Sequence, residues 1–261
     1  MRLGRDTRVV VTGASRGIGR ALARGFAARG AVLGLLARSE DGLREVEEGI
    51  PGDEHHILAA DVGDAAAVRR ALEAFGRADV VVANAGVAHY GPFLDMDLEK
   101  IERMTRINWL GTVYTVAAAL PPMLERRSGH LVVVSSGAGL RAFPEAAVYG
   151  ATKAAQRGFA EALRHELAGT GVSLTTVFPG EFATTLHDHE KETLPDWYDG
   201  DGALPPERLA DRVVRAVEED EREVYAPALV RVLRLAHGVS PRLGDVLLRR
   251  LRGESAAPRH D

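Results

Sequence analysis

Val9-Val10-Val11-Thr12-Gly13-Ala14-Ser15-Arg16-Gly17-Ile18-Gly19 reads as a buried strand that turns through three glycines into a helix. At such a turn the backbone N–H groups and the positive helix end face whatever anion lies there. Glycine serves because a side chain would block close approach or a positive φ angle. The spacing, Gly-x3-Gly-x-Gly, departs from the commoner Gly-x-Gly-x2-Gly fingerprint. Three glycines alone also fit a tight structural turn, so the surrounding chain must decide.

Outward from that turn, short β-rich apolar runs alternate with longer amphipathic ones. Strands are expected at Arg8 to Thr12, Ala31 to Ala37, His55 to Ala60, Asp79 to Ala83, His130 to Ser135, Ser173 to Phe178 and Glu223 to Ala226. Helices are expected at Gly17 to Arg29, Glu40 to Glu48, Asp64 to Phe75, Leu98 to Glu125, Val148 to Leu167 and Pro206 to Asp220. Nearly continuous apolar strands such as Val80-Val81-Val82 and Leu131-Val132-Val133-Val134 suit a sheet covered on both faces. The expected fold is α/β, a doubly wound parallel sheet of seven strands in a single domain, the Rossmann fold. We place that catalytic domain at residues 1–227, including a polar segment, 185–205, too long for an ordinary connection and suited to a substrate lid.

The bulk numbers agree. The chain has 261 residues, 46% hydrophobic and 27% charged, as soluble globular proteins do. Its net charge of -4 argues against general nucleic-acid binding. With no cysteine, disulfides, thiolate catalysis and cysteine metal sites are excluded. Met1 to Asp6 lead straight into a strand with no apolar signal segment, so a cytoplasmic location is expected.

The end of the second strand bears on which dinucleotide is favoured. A carboxylate there accepts hydrogen bonds from a ribose 2'-OH and repels a 2'-phosphate. Ala37-Arg38-Ser39 stands in that place, and Arg16 in the glycine turn adds a second cation. Guanidinium forks suit phosphate, which points to NADP(H) over NAD(H).

Farther along stand Asn108, Ser136 and the pair Tyr149 and Lys153 in Val148-Tyr149-Gly150-Ala151-Thr152-Lys153. A carbonyl receiving hydride develops charge on oxygen and needs a proton, which a phenol held nearby can give, or take in reverse. Free tyrosine, with a pKa near ~10, is a sluggish base at neutral pH. Lys153 lies one helical turn from Tyr149 on the same face, where an ammonium favours phenolate. Ser136, at the end of its strand, can donate to the substrate oxygen.

Thr12 to Gly19, Asp61-Val62, Asn84-Ala85-Gly86, Asn108, Ser136, Tyr149-x3-Lys153 and Pro179-Gly180 with Thr184 together resemble the short-chain dehydrogenase/reductase family, from about Val9 to Thr184. The resemblance implies that Asn108, Ser136, Tyr149 and Lys153 are catalytic, the thirteen residues before Tyr149 selecting Ser136 over Ser135. It implies that Asn108 distorts its helix and anchors a water leading protons to Lys153. The cofactor is expected on Gly13, Ser15, Arg16, Gly17, Ile18, Gly19, Arg38, Asp61, Val62, Asn84, Ala85, Gly86, Tyr149, Lys153, Pro179, Gly180 and Thr184. Within that set Lys153 holds the nicotinamide ribose, Asp61 meets the adenine, Asn84 ties central strands and Thr184 contacts the carboxamide. The activity implied interconverts an alcohol with a ketone or aldehyde, without a metal, in a homodimer or homotetramer formed through the helices of Asn108 and Lys153.

Other residues read blandly or leave choices open. His187, Asp188, His189 and Glu190 suit a solvated loop better than a metal cluster; His89, Tyr90, Phe143 and Trp197 are possible pocket walls; Glu181 faces water. Residues 228–252 are apolar and basic, with Arg231, Arg234, Arg242, Arg249, Arg250 and Arg252 against Asp245 alone. They fit two amphipathic helices broken at Gly238 to Pro241. Burial in the protein or its oligomer ranks first for them and a membrane surface second, and covering the cleft with them would favour a hydrophobic substrate. Residues 253–261 read as a disordered tail. Rival functions are a nucleotide-sugar epimerase or dehydratase of the same fold, disfavoured by the short chain, and a non-catalytic dinucleotide sensor, disfavoured by the complete tetrad.

Overall fold

The computed structural model describes residues 1–184 and 203–240. Among these, seven parallel strands form one sheet: β1 (Arg8–Thr12), β2 (Val32–Ala37), β3 (His56–Ala59), β4 (Val80–Ala83), β5 (Gly129–Val134), β6 (Val172–Pro179) and β7 (Glu223–Ala226). The order across the sheet is β3-β2-β1-β4-β5-β6-β7. The chain winds outward from β1 to β3, returns to β4 and winds the other way. The reversal between β1 and β4 opens a crevice at the carboxyl ends of those strands, where ligands of such sheets bind.

Strand side chains alternate between faces, and the two cores follow that alternation. Val9 and Val11 of β1, with Val80 and Val82 of β4, bury against α1 (Gly17–Ala27), α2 (Glu40–Glu48) and α7 (Pro206–Glu219). Val10 and Val81 bury on the opposite face against α3 (Ala65–Phe75), α5 (Gly111–Arg126) and α6 (Ala147–Glu166). Capping fixes where helices begin: the Ser39 hydroxyl accepts from the Gly42 amide, and the Asp64 carboxylate accepts from the amides of Ala66 and Ala67. Those bonds, led by Ala67, hold the Asp64 carboxyl below its ordinary range.

One expected helix is not continuous. Leu98 to Arg126 divides into α4 (Leu98–Met104), a π-helical turn (Thr105–Leu110) and α5. The wider turn seats Asn108, whose amide is fully buried and bonded away from its own helix. After β7 a helix α8 (Leu229–Val239) follows, matching the first of the two expected C-terminal helices; the second, like the tail at 253–261, lies outside the described residues. No helix of the described residues is long and apolar enough to cross a membrane.

At the opposite edge from the crevice, His130 of β5 is buried, its Nε2 2.8 Å from the Thr175 hydroxyl. Burial pushes its imidazole down to about 4, against a weaker opposing pull from Asp220. The 4.0 Å approach of Nδ1 to Asp220 is therefore not an ion pair at neutral pH. Because the unfolded imidazole titrates near 6.5, its neutral burial favours the fold above that pH and ceases to as pH falls toward 4. Urea unfolding at pH 7 and pH 4.5 is expected to show a smaller loss of stability for His130→Asn than for the natural chain. Equal losses in the two proteins would contradict this role.

Candidate active site

The crevice is a cavity of 480 Å³ running from the glycine turn to Tyr149. Of the residues expected in the site, all except Asn108 line it; Asn108 stands behind the wall. The turn needs glycine for separate reasons at each position. Gly13 and Gly17 have φ of +68° and +54°. A Cβ on Gly13 would come within 2.9 Å of the Ala85 Cα, and one on Gly19 within 2.0 Å of the Gly13 carbonyl oxygen. Gly19 thus serves the close packing of the turn on itself.

Thr12 and Asn84 join β1 to β4 beneath the cavity. The Thr12 hydroxyl donates to the Val82 carbonyl and accepts from the amides of Asn84 and Ala85, while the Asn84 side-chain amide donates to the Thr12 carbonyl at 2.9 Å. This locks the switch point and leaves the α1 amide end facing open space. Arg16, which precedes α1, and Arg38, which follows β2, are both exposed on the same cavity wall. Asp61 and Val62 lie after β3; the Asp61 carboxylate accepts from the Gly63 amide at 2.8 Å, and Val62 is buried against Gly111.

Tyr149 and Lys153 sit on the buried stripe of α6. The Lys153 ammonium nitrogen lies 5.9 Å from the Tyr149 ring centre and donates to the Val134 carbonyl of β5 at 3.1 Å. Burial pushes its amine down to about 7. Opposite, a Cβ at Gly86 would lie 3.5 Å from Nζ and 3.3 Å from Asn108 Oδ1, so the small residue keeps that space clear.

The two serines after β5 divide by their bonds. Ser135 is buried and donates to the Lys153 carbonyl at 2.8 Å. Ser136 accepts from the Ala138 amide at 3.1 Å, which leaves its hydroxyl proton able to point into the cavity. On the far side Pro179, Gly180 and Thr184 close the wall, with Thr184 against Gly17. The Ala183 amide donates to the Leu204 carbonyl at 2.9 Å. The lid expectation and His187, His189 and Trp197 fall on 185–202, outside the described residues. Glu181 is exposed, as expected.

A family profile described as short chain dehydrogenase matches residues 7–195. The chain belongs to the short-chain dehydrogenase family. An uncharacterized oxidoreductase of Listeria monocytogenes is 34% identical over 226 residues, covering 82% of this dehydrogenase and 91% of the relative. A short chain dehydrogenase/reductase from Burkholderia phymatum in complex with NAD superposes with a TM-score of 0.85 at 24% identity, over 99% of this chain and 100% of that one. An alcohol dehydrogenase from the archaeon Thermococcus sibiricus, complexed with 5-hydroxy-NADP, superposes with a TM-score of 0.70 at 32% identity, over 84% of this chain and 94% of that one. Structural neighbours of this short-chain dehydrogenase therefore hold either nucleotide.

Around the expected residues of this dehydrogenase's site stand others, Val87, Thr112 and Gln156, that were not singled out in the sequence. The Asn108 amide bonds both backbone groups of Val87, at 2.8 and 2.9 Å, and donates to the Thr152 hydroxyl. Its backbone carbonyl accepts from Thr112 and from the buried Gln156 amide. Tyr149, Lys153, Gln156, Ala160 and Leu163 share one buried stripe of α6, and that spacing was the available signal for Gln156. Tyr90 meets Tyr149 edge-on at 5.7 Å and Phe143 packs on the same cluster, but of the expected pocket walls neither these two nor the buried His89 line the cavity.

Proposed function

We propose that the chain is an NADP(H)-dependent oxidoreductase that interconverts a hydrophobic alcohol with its ketone or aldehyde. The observation that carries this reading is one cavity joining a glycine turn at a helix start to a phenol paired with a buried lysine. The donors fit a dinucleotide: the turn is bare of side chains at Gly13 and Gly17, amides face it, and two guanidinium groups stand on the adenosine side. In this reading Gly13 to Gly19 hold the diphosphate, Asp61 meets the adenine, and Lys153 and Thr184 hold the nicotinamide half. Bound there, the nicotinamide supplies the hydride for reduction or accepts it in oxidation.

The chain's own groups manage the proton. Ser136 donates to the substrate oxygen and stabilises its charge as the carbonyl is reduced. Tyr149 passes its phenolic proton to that oxygen, completing the alcohol, and takes it back in oxidation. Lys153, in its ammonium form, favours the phenolate of Tyr149 over the phenol. Asn108 holds Val87 and Thr152 so that Lys153 stays aligned. Val87 on the cavity wall, and the half-buried Tyr90 and Phe143 packed beside Tyr149, support a hydrophobic substrate. We assign the protein to the cytoplasm as a homodimer or homotetramer.

A screen of NADPH and NADH oxidation against carbonyl compounds graded by apolar size tests the proposal. Turnover of the larger apolar compounds with NADPH is expected, and silence across the panel with both cofactors would overturn it. Arg38→Ala is expected to lower kcat/KM for NADPH by roughly 10–100-fold, the worth of one or two charge-assisted bonds, and to leave that for NADH near its starting value. Equal losses with both cofactors would remove the argument for a 2'-phosphate contact.

A further inference from the structure

Val230 of α8 meets the candidate site from behind. It is buried and packs with Leu140, Phe178 and Tyr225. It does not line the cavity, yet it stands against a glycine in each of two stretches that do: Gly137, which follows Ser136, and Gly180, which follows Pro179. A Cβ on Gly137 would lie 3.6 Å from Val230 Cγ1, and one on Gly180 would lie 3.4 Å from Val230 Cγ2. One methyl thus fills the notch of each glycine. In a helix a β-branched side chain has one strongly preferred χ1 rotamer, so the direction of both methyls is set by where α8 is docked.

That docking is fixed one helical turn farther on. Arg234 reaches both carboxylate oxygens of Glu223 on β7, at 3.0 and 2.9 Å, and its guanidinium lies 5.7 Å from the centre of the Tyr225 ring. Tyr225 in turn stacks on Phe178 with ring centres 5.1 Å apart. The face of α8 that carries Val230 and Arg234 is therefore held on the edge of the sheet, while Leu229, Val232, Leu235 and Val239 stay exposed.

Of the two stretches that Val230 touches, one is pinned: the Gly180 amide donates to the Ala226 carbonyl at the end of β7, at 2.7 Å. The other is a single 3-10 turn, Gly137–Gly139, capped by the Ser136 hydroxyl, which accepts from the Ala138 amide at 3.1 Å. On its α6 side this turn meets the Lys153 carbonyl, where a Cβ on Gly139 would come within 2.6 Å. On its other side Val230 backs it. Packed interiors hold their neighbours in place because no space is left for them to relax into. We propose that Val230 is a positioning residue that sets the place of Ser136, so that α8 forms part of the frame of the active site. The proposal rests on the enzymatic reading above and adds to it how the serine hydroxyl is kept at the distance a substrate oxygen requires.

A double-mutant cycle on the full chain tests this. Val230→Ala removes both methyls and is expected to lower kcat roughly tenfold, since a misplacement of about 1 Å costs up to ~10²-fold. Made in a Ser136→Ala chain, the same change is expected to alter kcat within about twofold, because the group it acts through is gone. Equal losses in the two backgrounds would show a general weakening of the fold and overturn the proposal. So would an unchanged kcat in Val230→Ala, or a loss confined to NADPH affinity, which would move the role to the Pro179–Gly180 wall. Amide hydrogen exchange gives a readout free of turnover: in Val230→Ala the Ala138 amide should exchange faster relative to the amides of β1. A natural chain that reduces no carbonyl sinks the enzymatic reading, and the exchange at Ala138 then decides on Val230 alone, an unchanged rate refuting its hold on the turn.

Discussion

Tyr149→Phe is expected to lower kcat by roughly 10²–10⁴-fold, the usual worth of a positioned general acid, while the dissociation constant for NADPH is expected to stay where it was. The phenyl ring preserves the packing that holds α6 in place: Tyr149 is buried among Val87, Ala88, Met104 and Ala138, and Tyr90 meets its ring edge-on. What disappears is the phenolic proton that Tyr149 presents at the cavity. Fluorescence titration with NADPH, together with steady-state rates on the best carbonyl of the panel, separates the two effects. A variant that turns over within a few-fold of the natural chain would require another acid and end the assignment. A variant that also loses NADPH affinity would mean the hydroxyl serves binding more than proton transfer.

Lys153→Met should move activity and stability in opposite directions. Turnover falls by roughly 10²-fold or more, because the phenol loses the ammonium that makes it acidic. Yet the free protein should melt higher at pH 7. Burial brings the Lys153 amine from 10.5 down to about 7, so the folded chain binds fewer protons there than the unfolded one between those values. Stability from this residue is therefore complete above about 10.5 and is lost as pH falls through 7. Methionine, of similar length and uncharged, escapes that loss, and Tm rises by roughly 2–4 °C for each kcal/mol recovered. Melting curves from pH 7 to pH 10 should show the gap closing as pH rises. A variant that melts lower at pH 7 would mean that the bond from Nζ to the Val134 carbonyl outweighs the burial of charge.

These expectations were reachable because the chain announces much of its plan. The strands are legible since both faces of the sheet are covered: a run such as Val80-Val81-Val82 has no use except in an interior. All seven appear within a residue or two of the expected bounds. The glycine turn and the Tyr149–Lys153 pair are local in sequence, one a turn and the other a single helical step, so spacing alone brings their members together. What escaped reading is what tertiary contact decides. The resemblance carried the distortion of the helix at Asn108, but nothing in Arg106-Ile107-Asn108-Trp109 names the group its amide bonds, Val87, twenty-one residues away. Gln156 passed for an ordinary polar position, though its stripe carries it into the interior beside Asn108. His130 read simply as the start of a strand, and its low imidazole follows from neighbours on β6 and beyond.

The side chain of Asn108 ties the segment after β4 to α6, and its carbonyl is gripped by Thr112 and Gln156 in turn. Architecture and acidity are thereby made one inheritance: a descendant that repacks Val87, Thr152 or Gln156 also retunes the amine next door. Novelty in such a lineage is driven outward, to the exposed face of α8 beyond β7. There a change of clientele leaves the proton machinery as it was.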